Sequence, residues 1–151
     1  MMLKNNIILR FAESADAEQI ADIENTCFSQ PWSVNQIRDE IINEKAIFIV
    51  AAADSAICGY ISGQLILDEF YISNIAVKSD YRGNGIASAI INFVIDVLKN
   101  KDCSLLTLEV RESNSIARKL YENNGFINLG IRKNFYSAPT ENACIYTLYV
   151  K

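Results

Sequence analysis

The stretch Tyr71–Leu98, YISNIAVKSDYRGNGIASAIINFVIDVL, decides the fold of this chain. A strand-like run ending at Val77 leads into a turn, Arg82–Gly85, and a long apolar helical pattern follows at once. The first N–H groups of a helix have no partner inside the helix, and the helix dipole makes that end positive. The sequence therefore predicts an anion site at the turn, most typically for the phosphates of a cofactor.

The rest of the chain supplies strands and helices around this segment. The patterns predict an order β-α-α-β-β-β-α-β-α-β-β, which is an α/β domain with a mixed sheet of about seven strands and about four helices over residues 1–151. The strand ending at Val77 and the strand Leu105–Val110 flank a helix, so we expect them to be parallel neighbours. The helix that Ser33 caps has the predicted apolar side Val34, Ile37, Ile41 and Ile42, and the polar stretch Arg132–Asn142 is predicted to be a loop.

Composition limits the possible chemistry. The 151 residues include 18 acidic and 14 basic side chains, and a net charge of −4 argues against direct nucleic-acid binding through a basic face. The chain has no histidine and only four scattered cysteines, so neither a typical zinc site nor a Ser-His or Cys-His mechanism is expected, and no metal is predicted. Proton transfer must therefore fall to Glu, Asp, Tyr, Lys or Cys.

The sequence shows no signal for secretion or membrane insertion. The first 16 residues lack the apolar core of a signal peptide, and charged or polar residues interrupt every long apolar run. We expect a cytoplasmic protein without membrane contact.

The residues Arg82, Gly85 and Ala87 form an R-x-x-G-x-A pattern, in which Gly83 and Gly85 permit positive φ angles. Taken alone, the pattern also fits an ordinary strand-to-helix turn without a ligand, and Arg82 could be a surface charge. In its context, however, the pattern resembles the acetyl-CoA loop of the GCN5-related N-acetyltransferases. The segment Leu108–Phe126 is similar to the strand and helix that follow in that family.

Three further segments resemble the branch of this family that acetylates the N-terminal alanine of a ribosomal protein: Pro31–Ser33, Asn74–Val77 and Ile131–Tyr136. The resemblance implies acetyl-CoA as acetyl donor, direct transfer to the N-terminal amine of a small-subunit ribosomal protein, and two parallel strands that splay apart around the thioester. It leaves the oligomeric state open.

The resemblance also implies residue roles. Glu109 would be the general base and Tyr121 the general acid. The cofactor would contact a longer set of residues: Ile75, Ala76, Val77, Arg82, Gly83, Asn84, Gly85, Ile86, Ala87, Ser88 and Asn114. The residue patterns alone leave alternatives open, because Glu109 alternates with Leu108 and Val110 as a solvated strand residue would, and Tyr121 fits a helix core.

Two other functions are compatible with these motifs. The acceptor could be a lysine side chain, a polyamine, an amino acid or an aminoglycoside, since acceptor choice depends on the segments around Phe28–Trp32 and Arg132–Asn142. The chain could also be a non-catalytic module that binds acyl-CoA. The presence of both Glu109 and Tyr121 favours an enzyme.

Overall fold

The computed structural model describes residues 2–3 and 6–151. Its strands and helices follow one another in the predicted order, with one additional two-residue strand at the start. They are β1 (Met2–Leu3), β2 (Ile7–Phe11), α1 (Ala17–Cys27), α2 (Val34–Ile42), β3 (Ala46–Ala53), β4 (Ala56–Ile66), β5 (Glu69–Val77), α3 (Ile86–Lys99), β6 (Leu105–Arg111), α4 (Ser115–Asn123), β7 (Ile127–Ser137) and β8 (Thr140–Tyr149).

The strands form one mixed sheet in the order β1-β2-β3-β4-β5-β6-β8-β7. Strands β3, β4 and β5 form the antiparallel meander that their short polar turns predict. Strands β5 and β6 are parallel neighbours joined by α3, which confirms the predicted βαβ unit. The predicted mixed α/β fold is therefore correct.

The parallel pair β5–β6 opens soon after it begins. Within the described residues its register runs from Glu69 opposite Leu105 to Tyr71 opposite Thr107. The register of β5 against β4 shifts just beyond this point, because Gly63 lies opposite Ile72 while Ser62 lies opposite Asn74. The extra residue of this bulge turns β5 away from β6. The result is the gap that the family resemblance implies.

Helices pack on both faces of the sheet and create two apolar cores. On one face, α1 and α2 bury Ile20, Ile23 and Ile37 against β3 and β4. On the other face, α3 buries Ile90 and Val94, both with no exposed surface. Each fully buried side chain of this size contributes roughly 1.5–3 kcal/mol, so the two cores hold the helix ends firmly beside the gap.

Two expectations from the sequence are wrong. Residues Arg132–Asn142 do not form a loop, because β7 continues to Ser137 and pairs with β8, where Tyr136 lies opposite Glu141. Ile42 does not face the core, since 71% of it is exposed at the last residue of α2. Ile42 lies one residue past the part of α2 that contacts the sheet. The predicted cap by Ser33 at the start of α2 is confirmed, and Gln36 completes a capping box with it.

No helix in the described part of the chain is both long and apolar enough to cross a membrane.

Candidate active site

Two cavities meet where β5 and β6 separate. One, of about 580 Å³, extends toward the glycine turn and is called the glycine-turn cavity. The other, of about 450 Å³, extends toward the β7–β8 hairpin and is called the hairpin cavity. Six residues line both cavities and form a shared wall: Cys27, Phe28, Ile75, Asn114, Ala117 and Tyr121. A ligand group in one cavity can therefore contact a ligand group in the other.

The glycine turn has the backbone geometry that an anion site needs. Gly83 and Gly85 adopt φ angles of +81° and +74°, in the left-handed region that glycine enters without strain. A Cβ atom built on either residue would have no neighbour within 4 Å, so the space beside both is open. Gly85 directly precedes α3, whose first N–H groups lie at the positive end of a 14-residue helix.

Most of the predicted turn residues line the glycine-turn cavity, namely Arg82, Gly83, Gly85, Ile86, Ala87 and Ser88. The Ser88 hydroxyl is fixed by a hydrogen bond from Asn124 Nδ2, at 3.1 Å. Asn84 is the exception, because its side chain is absent from the cavity wall and instead donates to the carbonyl groups of Tyr81 and Arg82, at 3.1 and 3.3 Å. Its amide stabilises the turn.

The free edge of β5 faces the gap. The Lys78 N–H donates to the Cys58 carbonyl of β4, at 2.7 Å. Because N–H groups alternate sides along a strand, those of Ile75 and Val77 point away from β4 and into the gap. Ile75, Ala76 and Val77 all line the glycine-turn cavity. This edge offers hydrogen bonds to an extended ligand.

Arg82 and Asn114 stabilise the chain at and beside the shared wall. The Arg82 side chain folds back, and its Nε donates to the Val77 carbonyl at 3.0 Å while its guanidinium lies 3.4 Å from Cys27 Sγ. Asn114 caps α4, since its Oδ1 accepts from the Ala117 N–H at 3.1 Å. No acceptor within the described residues bonds to its Nδ2 group, which leaves that group for a ligand of either cavity.

Glu109 lies on β6 in the hairpin cavity. Its side chain is only 7% exposed, so the alternative of a freely solvated strand residue is wrong. The Tyr71 hydroxyl donates to its Oε2, and Arg132 Nε lies 3.5 Å from its Oε1. Burial, together with this hydrogen bond, raises the pKa of Tyr71 above its usual value, so Tyr71 remains a donor to the carboxylate at neutral pH.

Tyr121 lies on α4 in the shared wall. It is 5% exposed, and its ring packs against Phe126 and Tyr146 with centroid distances of 5.5 and 6.0 Å. Among the described residues its hydroxyl forms no hydrogen bond, and Ser62 Oγ is the only side-chain oxygen there that is fully buried without a partner. The Tyr121 hydroxyl is therefore accessible from the cavities. Burial raises the pKa of Tyr121, which keeps the hydroxyl protonated.

The β7–β8 hairpin forms the outer wall of the hairpin cavity. Arg111 at the end of β6 donates to the Pro139 carbonyl at 2.9 Å and to Glu141 at 3.2 Å. Its guanidinium also lies 4.4 Å from the centre of the Tyr136 ring. The contact with Arg111 holds Tyr136 against the cavity, and the Phe135 ring packs edge-on against the Tyr136 ring at a centroid distance of 5.1 Å.

The sequence did not single out Tyr71 or Arg132 as neighbours of Glu109. Both lie far from Glu109 along the chain, Tyr71 on β5 and Arg132 on β7. Only the pairing of β5, β6, β8 and β7 brings them together, so no local pattern marks them. The only local signal was the position of Arg132 in the Ile131–Tyr136 segment.

The site combines a buried carboxylate, an un-ionised tyrosine hydroxyl and an anion-binding helix end around one gap. A carboxylate can remove a proton from a nucleophile, and a neutral hydroxyl can supply one to a leaving group. The arrangement is thus suited to group transfer between a phosphate-containing donor in the glycine-turn cavity and a nucleophile in the hairpin cavity.

Comparisons with known proteins agree with this geometry. A model of the acetyltransferase (GNAT) family matches residues 17–126. The chain is 36% identical over 146 residues to [ribosomal protein bS18]-alanine N-acetyltransferase of Haemophilus influenzae, covering 95% of this chain and 99% of the relative. The enzyme of that name from Escherichia coli K12 is 32% identical over 138 residues, covering 90% and 93%.

Solved structures have the same fold. The crystal structure of the ribosomal-protein-S18-alanine N-acetyltransferase from Escherichia coli superposes with a TM-score of 0.87 at 30% identity, covering 96% of this chain and 94% of that chain. Arabidopsis thaliana NAA60 in complex with acetyl-CoA superposes with a TM-score of 0.88 at 18% identity, covering 95% and 99%.

Proposed function

The chain belongs to the acetyltransferase (GNAT) family and is an N-acetyltransferase that uses acetyl-CoA, and we propose that its acceptor is the N-terminal alanine of ribosomal protein bS18. The observation that carries the proposal is the shared wall, where Tyr121 contacts both cavities and Glu109 lies in the hairpin cavity. A donor and an acceptor can meet there without a covalent intermediate on the protein.

The glycine-turn cavity fits the cofactor. Bound acetyl-CoA supplies an activated acetyl thioester. The backbone of Gly83, Gly85 and the start of α3 would hold the pyrophosphate, because the space is open and the helix end is positive. The N–H groups of Ile75 and Val77 would hold the extended arm of the cofactor, and Asn114 would bond to it near the start of α4.

Glu109 is the proposed general base. An α-amino group has a pKa near 8, so a large fraction is protonated at neutral pH and must lose a proton before it can attack the thioester. The Glu109 side chain is only 7% exposed in the hairpin cavity, and Tyr71 and Arg132 contact its two oxygens. It can accept the proton directly or through one water molecule.

Tyr121 is the proposed general acid. Acetyl transfer breaks the carbon–sulfur bond of the thioester and leaves the CoA sulfur as a thiolate. The Tyr121 hydroxyl is accessible from the glycine-turn cavity, and its raised pKa keeps the proton available at neutral pH. It can therefore protonate the sulfur as the new amide bond forms.

The hairpin cavity is the proposed site of the acceptor N-terminus. Its walls come from the α1–α2 segment with Phe28 and Trp32 and from Phe135 and Tyr136 of the hairpin. The two bS18-alanine N-acetyltransferases compared above support this acceptor. A ribosomal acceptor is consistent with the cytoplasmic location that the sequence predicts.

Thiol release from acetyl-CoA tests the proposal. The acceptors are the N-terminal peptide of bS18 beginning with alanine, the same peptide with its terminal amine blocked, a peptide whose only free amine is a lysine side chain, and a polyamine. We expect thiol release with the free alanine peptide only, with one acetyl group found on its terminal amine. Release that is fastest with the lysine peptide or the polyamine would contradict the proposed acceptor.

A further inference from the structure

We propose that Asn74 binds the acceptor, and that the buried Glu24 positions Asn74 for this role. The Oδ1 atom of Asn74 would accept a hydrogen bond from an N–H group at the N-terminus of the acceptor. This inference rests on the proposed function, because it names a residue that binds the acceptor in the hairpin cavity.

Glu24 is a buried carboxylate in α1, only 1% exposed. Three donors from different elements converge on it. The Trp32 N–H donates to Oε1 at 2.8 Å, and the Asn74 Nδ2 donates to Oε2 at 2.8 Å, together with the Tyr60 hydroxyl. In the described part of the chain Glu24 belongs to none of the ion pairs, so these neutral donors compensate for its burial.

This contact fixes the orientation of the Asn74 amide. Because Asn74 Nδ2 donates to Glu24 Oε2, the NH₂ group of Asn74 faces Glu24. The other end of the amide, Oδ1, is then directed away from Glu24. Among residues 2–3 and 6–151 no donor bonds to this oxygen, and Asn74 lines the hairpin cavity. The cavity therefore has an oriented hydrogen-bond acceptor that the fold itself does not use.

Asn74 and Glu109 lie on the same face of the sheet, on the two strands that separate. Leu108 and Val110 are buried in the core that contains α3, so Glu109 between them faces the α1 side. Ala76 belongs to the core on the α1 side, and Asn74, two residues earlier on β5, shares that face. An acceptor N-terminus in the gap thus has Glu109 on one side and Asn74 on the other.

The two residues have different chemical roles. Glu109 can take up a proton, whereas an amide oxygen at neutral pH can only accept a hydrogen bond. Asn74 can therefore hold the acceptor without competing for the proton that Glu109 removes. The N–H group is either that of the terminal amine or that of the first peptide bond, and the experiment below distinguishes them.

The test compares Asn74→Ala with the wild-type chain in steady-state kinetics. We expect the KM for the acceptor peptide to rise about five- to tenfold, the size of one lost hydrogen bond, while the KM for acetyl-CoA stays unchanged. KM does not depend on the folded fraction, so partial unfolding cannot produce this result. Asn92→Ala, which changes an exposed asparagine of α3, is the matched control and should change neither value.

A second peptide, methylated at the nitrogen of its first peptide bond, identifies the donor. If the methyl group raises the wild-type KM but adds nothing in Asn74→Ala, the donor is the first peptide N–H. If methylation has the same effect on both enzymes while Asn74→Ala still raises KM, the donor is the terminal amine. An acceptor KM that is the same in Asn74→Ala and the wild type overturns the inference.

The positioning role of Glu24 has its own variant, Glu24→Gln. A glutamine can donate to Asn74 Oδ1 and turn the amide around, which would direct the NH₂ group into the cavity. We expect the KM for the acceptor to rise and the KM for acetyl-CoA to stay constant. The matched control is Asp22→Asn, which removes one charge from an exposed position of the same helix. Equal changes in both KM values would show a merely structural role.

Failure of the proposed acceptor is separable from failure of this inference. If the wild-type chain does not acetylate the bS18 peptide, the same comparison is made with the fastest acceptor of the thiol-release panel. A selective rise in its KM in Asn74→Ala still supports the role of Asn74, and an unchanged KM still contradicts it.

Discussion

The two cavities are built by the chain in different ways. The glycine-turn cavity takes most of its ligand-binding groups from one continuous segment, from Ile75 to Ser88, and these groups are largely backbone N–H donors. The hairpin cavity collects side chains from five distant segments: Cys27–Trp32, Tyr71–Ile75, Leu108–Arg111, Asn114–Tyr121 and Phe135–Ser137. The first is a property of local conformation, and the second exists only in the folded sheet.

The two cavities therefore have different functions. A backbone cradle recognises phosphate in any protein that carries the same turn, so the glycine-turn cavity defines a family-wide property. Side chains from α1, β5, β6 and the hairpin can change independently of one another. The hairpin cavity can therefore give a member of the family its own acceptor.

The largest predicted effect is on the hairpin side, in Glu109→Gln. The amide keeps the size of the side chain but cannot take a proton, so we expect kcat to fall on the order of a thousandfold with little change in the KM for acetyl-CoA. A steady-state thiol-release assay measures kcat and the KM for acetyl-CoA. Glu69→Gln, at an exposed position of β5, is the control. A loss of less than tenfold would remove Glu109 from the role of base.

The next effect is at the shared wall, in Tyr121→Phe. The ring keeps its packing against Phe126, whereas the proton donor is lost, so we expect kcat to fall about a hundredfold. Binding of acetyl-CoA and thermal stability should be close to wild type, as measured by calorimetry. Tyr149→Phe, exposed at the end of β8, should have no effect. Full turnover in Tyr121→Phe would assign the acid role to another group.

Gly85→Ala tests the glycine-turn side alone. A non-glycine residue at a φ angle of +74° costs about 1 kcal/mol, so the variant should unfold more easily by that amount. The added methyl group also enters the open space of the cradle, and we expect the KM for acetyl-CoA to rise about tenfold. The KM for the acceptor should not change. Gly130→Ala, where the space is also open but the φ angle is not positive, is the control.

The smallest effect is a pH dependence on the hairpin side. Burial, followed by the Glu109 carboxylate, raises the pKa of Tyr136 to about 12, from about 10 in an unfolded chain. Its contribution to stability is complete below about pH 10 and is lost as the pH rises through about 12.

Chemical denaturation between about pH 9 and about pH 12 measures this contribution. Because Tyr136 is partly exposed, we expect Tyr136→Phe to reduce the alkaline loss of stability by less than about 1 kcal/mol. Tyr149→Phe should follow the wild-type curve. An identical loss in Tyr136→Phe and the wild type would contradict the raised pKa.

The same contrast explains what the sequence could predict. The apolar run to Val77, the glycine turn and the α3 pattern are local, so the sequence predicts the βαβ unit correctly. The polar composition of Arg132–Asn142 predicts a loop, and this prediction is wrong. An exposed edge strand such as β7 lacks the alternation of apolar residues that marks a strand with one buried face. The contacts of Glu24 with Asn74 and of Tyr71 with Glu109 join distant segments and leave no pattern.

Direct acetyl transfer requires that the two cavities meet at the shared wall. A conjugate in which CoA is joined through an acetyl bridge to the N-terminal amine of an alanine peptide spans both. We predict that it binds far more tightly in calorimetry than CoA or the peptide alone, and that it competes with both acetyl-CoA and the acceptor in steady-state kinetics. Binding no tighter than that of CoA, with competition against acetyl-CoA only, would contradict a direct transfer between the cavities.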